Sequence, residues 1–293
     1  MNIGDYFSGA RSTREDSMPA GSSPILQALP AGHRIEMERG TSYYREIDGP
    51  AGAPTLLLLH GWMATGGLNW LRGFEALGQK FRVIAPDLRG HGRGVRNWRH
   101  FRLEDCADDM AELIDELGTG PVIAVGYSMG GAVAQLLWRR HPEKVRGLVL
   151  CATGPSMVAN LGQRIAFGGA MSAIANAARL AQFSSQIPIG LFRTLWPAQA
   201  PQIPETLNGW VSSEFSRHDW RMVMEAGSEL GHFNSWNWIH EIDVPTGVVV
   251  TTQDVAIDPV RQLKMALAIP GASIIRIEAG HLACAYPEFT DPL

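Results

Sequence analysis

Cysteine is scarce in this sequence. Its 293 residues include three, Cys106, Cys151 and Cys284, and these lie far apart. An odd number at such spacings fits neither a disulfide framework nor a zinc site, and it favours a reducing compartment. No other combination of His, Cys and carboxylate residues has the spacing of a metal site. The sequence therefore gives no reason to expect a metal or any other cofactor.

A basic excess and long apolar runs are lacking as well. The chain has 25 Lys and Arg against 29 Asp and Glu, a net charge of −4, so it shows no charge pattern typical of nucleic-acid binding. No apolar run reaches the length of a membrane span, and residues 1–24 contain no stretch typical of a signal peptide. We therefore expect a cytoplasmic protein that binds no nucleic acid and has no membrane span. The residues leave its oligomeric state open.

Apolar stretches of strand length recur along the chain. They lie at 56–59, 122–125, 145–151 and 248–251, and segments with helical periodicity separate them. Such stretches are typical of strands buried on both faces of a sheet. The alternation predicts an α/β fold with a mainly parallel, twisted sheet flanked by helices. Residues 33–46 alternate in polarity and predict an antiparallel hairpin that precedes it.

Residues 154–240 interrupt this alternation, because they carry helical patterns only. We expect them to form a helical cap, inserted between late strands and lying over the carboxyl ends where α/β sheets bind ligands. The remaining chain divides into an N-terminal arm (1–32), a first core part (33–153) and a second core part (241–293). The closing helix of the second part is predicted to be short or absent.

The predicted cap is rich in large aromatic side chains. Part of this surface is expected to face the candidate site and form an apolar acyl pocket, because a thin layer of helices cannot readily bury all of it. The aromatic residues in question are Phe183, Phe192, Trp196, Trp210, Phe215, Phe233, Trp236 and Trp238.

The most informative stretch lies between the apolar run 122–125 and the helical pattern 130–141. Between them is Gly126-x-Ser128-x-Gly130, the pattern of a strained strand–turn–helix elbow that exposes a serine hydroxyl. Its glycines allow close backbone approach, and the following helix offers amides to developing negative charge. The five residues alone are weak evidence. Their strand–turn–helix context makes Ser128 a candidate nucleophile.

A serine nucleophile needs a base, and the base needs an orienting carboxylate. Asp254 follows the strand that ends at Thr251, and His281 follows the last predicted strand. Both are therefore expected at the edge of the sheet that carries Ser128. Asp258 is a second carboxylate nearby, but a helix starting near residue 259 would use it as an N-cap.

Two backbone amides are candidates for an oxyanion hole. Met129 N–H follows the nucleophile, and Trp62 N–H follows His60-Gly61 at the end of the adjacent strand. His60 itself is interpreted as a buried support for this loop.

The loop 87–94 superficially matches a dinucleotide-binding pattern. Val95 occupies the place of the third glycine, and no helix pattern follows at once, so we reject that interpretation. Asp87 and Arg89 are predicted to form an ion pair that fixes the loop.

Taken together, these motifs resemble the α/β-hydrolase superfamily from about residue 33 to the end of the chain. They are His60-Gly61-Trp62, Asp87-x-Arg89-Gly90-x-Gly92, Gly126-Tyr127-Ser128-Met129-Gly130-Gly131, Asp254 and Gly280-His281.

The resemblance implies Ser128 as nucleophile, His281 as base, Asp254 as acid, and Trp62 and Met129 as oxyanion donors. The chain is then similar to serine carboxylesterases, enol-lactonases and cofactor-free perhydrolases, and its expected partner is an apolar small-molecule ester. The same residues also allow lactone opening, thioester cleavage or acyl transfer. A non-catalytic binding protein of this fold is the alternative from another class, although a pure binder has no need of all three residues.

Overall fold

The computed structural model describes residues 13–15, 24–158, 161–184, 206–291 and 293. The strands are β1 (Thr13–Glu15), β2 (Gly32–Met37), β3 (Gly40–Ile47), β4 (Thr55–Leu59), β5 (Arg82–Pro86), β6 (Val122–Tyr127), β7 (Val145–Cys151), β8 (Thr246–Thr251) and β9 (Ser273–Ile277). The helices are α1 (Pro24–Gln27), α2 (Gly66–Trp70), α3 (Phe74–Gly78), α4 (Leu103–Glu116), α5 (Met129–Arg140), α6 (Leu161–Ser184), α7 (Leu207–Ser216), α8 (Trp220–His232) and α9 (Pro259–Ala268). Short 3₁₀ turns occupy Pro142–Lys144, Ile239–Glu241, Ala283–Ala285 and Pro287–Thr290.

All strands belong to one sheet in the order β1-β2-β3-β5-β4-β6-β7-β8-β9. The six strands from β5 to β9 in this order run parallel. Strands β2 and β3 form an antiparallel hairpin, and β3 joins it to β5. The predicted mainly parallel sheet and the preceding hairpin are therefore confirmed.

The apolar strands are buried because helices cover both faces of the sheet. In β4, Leu57 and Leu59 point into one core, which they share with residues of α4, α5 and α9. The alternate residues Leu56 and Leu58 point into a second core that includes residues of α2 and α3. This alternation explains why a continuous leucine run is stable as a central strand.

The described residues between β7 and β8 form the helices α6, α7 and α8, and α6 packs against α8. The described residues of this region contain no strand. No helix in the described ranges combines the length and the apolar character needed to cross a bilayer.

The loop after β5 differs from the prediction. Arg89 does not pair with Asp87; its guanidinium instead binds the carboxylate of Asp109 in α4 through two hydrogen bonds of 2.8 and 2.5 Å. Asp87 accepts hydrogen bonds from the backbone N–H groups of Gly66 and Arg93, each 2.9 Å long. The predicted ion pair is wrong because backbone amides already occupy Asp87, and the planar fork of Arg89 fits the two oxygens of Asp109.

Candidate active site

Ser128 lies on a sharp turn between β6 and α5. Its φ is +52° and its ψ is −115°, a conformation that side-chain-bearing residues rarely adopt. The flanking glycines make the turn possible: a Cβ on Gly126 would lie 2.3 Å from the carbonyl oxygen of Gly130, and one on Gly130 would lie 2.1 Å from that of Leu59. The backbone N–H of Ser128 donates to Cys151 O at 2.9 Å, which holds the turn against β7.

Ser128, His281 and Asp254 come together in one hydrogen-bonded chain. Ser128 Oγ lies 3.0 Å from His281 Nε2, and His281 Nδ1 lies 2.8 Å from Asp254 Oδ2. Because the carboxylate can only accept, Nδ1–H donates to it and the lone pair of Nε2 faces the serine hydroxyl. The three residues follow β6, β9 and β8, which explains why they meet at one edge of the parallel sheet.

Asp254 is held as a buried carboxylate, and its side chain is fully shielded from solvent. Oδ1 accepts hydrogen bonds from the backbone N–H groups of Ala256 (2.8 Å) and Ile257 (2.9 Å). Burial, the largest single influence, raises the pKa of this carboxyl, but hydrogen bonds from His281, Ile257 and Thr251 together outweigh it and lower the pKa. Asp254 is therefore ionised at neutral pH.

Asp258 has a different place. Its Oδ1 accepts from the N–H of Val260 at 2.8 Å and caps the N-terminus of α9, with Pro259 as the first helical residue. The predicted helix cap is confirmed.

The loop after β4 runs beside the serine turn. Leu59 pairs with Gly126 in the parallel register, so residues 60–62 continue alongside 127–129. A Cβ on Gly61 would lie 3.5 Å from the Cβ of Ser128. Within the described residues, the N–H groups of Trp62 and Met129 donate to no protein acceptor. Both remain available to a ligand.

The side chain of Trp62 connects this loop to the helices between β7 and β8. Its indole N–H donates to the carbonyl oxygen of Val223 in α8 at 2.7 Å. Its ring meets Phe167 of α6 edge to face, with the centroids 6.0 Å apart.

His60 is buried and neutral. Nε2 accepts from the N–H of Leu88 at 2.8 Å, so Nδ1–H must donate to Gly61 O, also at 2.8 Å. Burial lowers the pKa of His60 to about 3. Its predicted role as a buried support of the loop after β4 is confirmed, and the bond to Leu88 also ties this loop to the one after β5.

A cavity of about 820 Å³ opens at Ser128 and His281. Most of its lining is apolar, while Asp254, Asp258 and Arg261 contribute charge. The apolar side chains include Trp62, Met157, Val158, Phe167, Leu230 and Ile257. A ligand with an apolar body and a reactive polar group at Ser128 fits this distribution.

The predicted aromatic pocket can be checked for five of its eight residues. Among the predicted aromatics whose side chains are described, none lines this cavity; they are Trp210, Phe215, Phe233, Trp236 and Trp238. Trp210 and Phe233 are buried in the two cores, and Trp238 stacks on Trp138. The side chains of Phe183, Phe192 and Trp196 lie outside the described part of the chain. Phe167, which the prediction did not include, is the aromatic that α6 contributes.

Three residues near the site escaped the sequence prediction. Tyr127 O–H donates to the backbone carbonyl of His281 at 2.6 Å and fixes the loop that carries the imidazole. Thr251 and Gln262 lie behind Asp254 and are fully buried. Tyr127 and Thr251 lie next to or near predicted site residues, which was a usable signal, but nothing in the sequence marks Gln262. Among the described residues, no group of three or more potential metal ligands could hold an ion.

Comparison with known proteins identifies the family of the chain. A family model described as the alpha/beta hydrolase fold matches residues 54–286. The chain belongs to this family.

Named relatives of this alpha/beta hydrolase include ester-cleaving enzymes. It is 31% identical over 209 residues to the poly(3-hydroxyalkanoate) depolymerase of Ectopseudomonas oleovorans, an alignment that covers 71% of each chain. It is 33% identical over 127 residues to the bifunctional esterase/perhydrolase DCH of Acinetobacter calcoaceticus, which covers 42% of this chain and 46% of the relative. Several of the curated relatives are thus matched over less than half of their own length.

Among solved structures, a thermophilic esterase from Thermogutta terrifontis is similar to this hydrolase. The two share 26% identity and a TM-score of 0.65, and the match covers 88% of this chain and 93% of the esterase.

Proposed function

We propose that this protein is a serine hydrolase that cleaves carboxylic esters of apolar small molecules through an acyl-enzyme. The observation that carries the proposal is the chain from Ser128 Oγ through His281 to Asp254, at the mouth of a mostly apolar cavity. Names of relatives that include an esterase and a polyester depolymerase support the same class of bond.

In the first step, Ser128 Oγ attacks the ester carbonyl while its proton passes to His281 Nε2. Asp254 stabilises the imidazolium that forms and holds the imidazole in the required tautomer. The negative charge that develops on the carbonyl oxygen is accepted by the N–H groups of Trp62 and Met129. His281 then gives the proton to the departing alcohol, and the acyl group stays on Ser128.

In the second step, water takes the place of the alcohol. His281 Nε2 removes a proton from the water, which attacks the acyl carbon, and the same two amides stabilise the second tetrahedral intermediate. Collapse of this intermediate returns the proton to Ser128 Oγ and releases the carboxylic acid.

The helices between β7 and β8 act as the cap of this enzyme, with 154–240 as its bounds and 33–153 and 241–293 as the core. Phe167 of α6 and Leu230 of α8 supply apolar surface to the cavity. The hydrogen bond from the Trp62 indole to Val223 O anchors the cap beside one proposed oxyanion donor.

Longer acyl chains are expected to be better substrates until the cavity is filled. Each buried methylene contributes up to about 0.8 kcal/mol, so each two-carbon extension should raise kcat/KM by roughly tenfold. The measurement is kcat/KM across p-nitrophenyl acetate, butyrate, hexanoate and octanoate.

Phe167→Ala tests whether the acyl chain of the substrate lies in this cavity, because Phe167 lines the cavity from α6. It should flatten the rise with chain length and leave acetate, which reaches less of the cavity, little affected. A profile that falls steadily from acetate onward would contradict an apolar acyl site, and the absence of turnover with every ester would contradict the proposed function.

A further inference from the structure

Two buried polar side chains lie directly behind the carboxylate of Asp254. Thr251 is the last residue of β8, Gln262 belongs to α9, and both are fully shielded from solvent. Thr251 Oγ1 lies 2.8 Å from Asp254 Oδ2, the same oxygen that accepts from His281 Nδ1 at 2.8 Å. A hydroxyl and an imidazole therefore share one carboxylate oxygen.

The orientation of the Gln262 amide is fixed by two backbone groups. The N–H of Thr251 donates to Oε1 at 3.1 Å, and Nε2 donates to the carbonyl oxygen of Ile257 at 2.8 Å. A flipped amide would oppose donor to donor and acceptor to acceptor. Nε2 is thereby held 2.9 Å from Thr251 Oγ1 and 3.3 Å from Asp254 Oδ2.

This orientation determines where the Thr251 hydroxyl points. The second hydrogen of Gln262 Nε2 has two acceptors, Thr251 Oγ1 at 2.9 Å and Asp254 Oδ2 at 3.3 Å, and the shorter bond occupies a lone pair of Thr251 Oγ1. The hydroxyl hydrogen then has two acceptors in reach, Asp254 Oδ2 at 2.8 Å and Gln262 Oε1 at 3.2 Å. The charged, closer carboxylate is the stronger acceptor, so the hydrogen points to Asp254.

From this arrangement we infer that Gln262 is a positioning residue, which directs the Thr251 hydroxyl onto Asp254. The hydroxyl in turn weakens the attraction between the Asp254 carboxylate and a protonated His281. The inference rests on the proposed function. A donated hydrogen bond disperses the negative charge on Oδ2, so its loss strengthens the attraction for the imidazolium. His281 would then stay protonated, and unable to act as a base, up to a higher pH.

Other ionisable groups around this pair are few in the described part of the chain. Tyr127 binds the backbone oxygen of His281, and Asp258 caps α9. Arg261 is bonded to the carbonyl oxygen of Ser156 at 3.3 Å. None of these contacts involves the side chain of Thr251 or Gln262, so we expect a shift in pH dependence to report on the hydroxyl itself.

The first test is the pH profile of kcat/KM for Thr251→Val, measured on p-nitrophenyl butyrate. We expect about a tenfold loss of kcat/KM at neutral pH, in line with the loss of a hydrogen bond to a charged group. The acid limb of the profile, where kcat/KM falls as the pH is lowered, should be displaced to higher pH. Thr251→Ser retains the hydroxyl and should restore the wild-type limb. Thr246→Val is the matched control, because Thr246 lies on the same strand and its hydroxyl bonds, among the described residues, Val244 O alone.

The second test is a double-mutant cycle with Gln262→Met. The single variant should displace the acid limb in the same direction, and the double variant should be no worse than Thr251→Val alone, because Gln262 acts through Thr251. Additive losses, or an acid limb that does not move in either Thr251→Val or Gln262→Met, would overturn the inference. If Thr251→Ser has the profile of Thr251→Val, the hydroxyl is irrelevant and the inference is also wrong.

Failure of the inference and failure of the proposed function are distinguishable. If activity survives in Ser128→Ala, the proposed function is wrong. If activity requires Ser128 but the acid limb does not move in Thr251→Val or Gln262→Met, only the role of Gln262 is wrong. Thermal unfolding of each variant, recorded at the assay pH, identifies any loss that arises from a smaller folded fraction.

Discussion

Replacing Ser128 by alanine is expected to reduce kcat for ester hydrolysis by about 10⁴- to 10⁶-fold. The turn at φ +52° holds the hydroxyl 3.0 Å from the imidazole, and alanine leaves no atom that can form the acyl-enzyme. The amides of Trp62 and Met129 and the apolar cavity would remain, so a small residual rate above that in water is expected. The measurement is kcat on the best ester of the chain-length series.

Ser213→Ala is the matched control for this substitution. Ser213 is as buried as Ser128, with 9% of each residue exposed, and its hydroxyl donates to Trp210 O at 2.8 Å inside α7. The Ser213→Ala variant should keep the wild-type activity. A fluorophosphonate probe should label the wild type and Ser213→Ala but not Ser128→Ala. Activity of Ser128→Ala within tenfold of the wild type would rule out Ser128 as the nucleophile.

The second large effect is expected at Asp254. Asp254→Asn should lower kcat by about 10³- to 10⁴-fold, because an amide cannot stabilise the imidazolium and favours the wrong imidazole tautomer. The substitution also removes the negative charge that His281 Nδ1–H meets at 2.8 Å. Steady-state kinetics between pH 6 and 9 would measure the loss.

Asp258→Asn provides the comparison on the same loop. Asparagine caps helices about as well as aspartate, so α9 should keep its N-cap and the protein its stability within about 0.5 kcal/mol. Its kcat should stay close to that of the wild type. If Asp258→Asn were crippled and Asp254→Asn active, the acid of the proposed mechanism would have to be reassigned.

The sheet was predictable because its signals are local. The apolar stretch 145–151 is β7 as observed, and the leucines of β4 are buried in alternation on both faces. Ser128, Asp254 and His281 could be placed at one edge for the same reason, since each directly follows a recognisable strand and parallel strands end at a common edge.

Contacts between distant elements could not be predicted in this way. Gln262 reaches Asp254 from a helix, and Arg89 selects Asp109 in α4 over the nearer Asp87 because of how their side chains project in three dimensions. The sequence of 154–240 shows how many aromatic residues this segment contains, but not which way their side chains point. Trp210 therefore turned out to belong to the core, whereas Phe167 faces the cavity.

The position of His281, in the loop that follows β9, has a consequence for how activity is lost on unfolding. Its loop follows β9, which lies at the edge of the described sheet, where β8 is its one neighbour, and has exposed residues at Ser273, Ile274 and Arg276. Edge strands open by local fluctuation at a lower free-energy cost than buried central strands such as β6. In mild denaturant, catalysis should therefore disappear while amide protons of β6 are still protected from exchange with solvent. The turn that carries Ser128 would still be folded when His281 has already lost its position beside it.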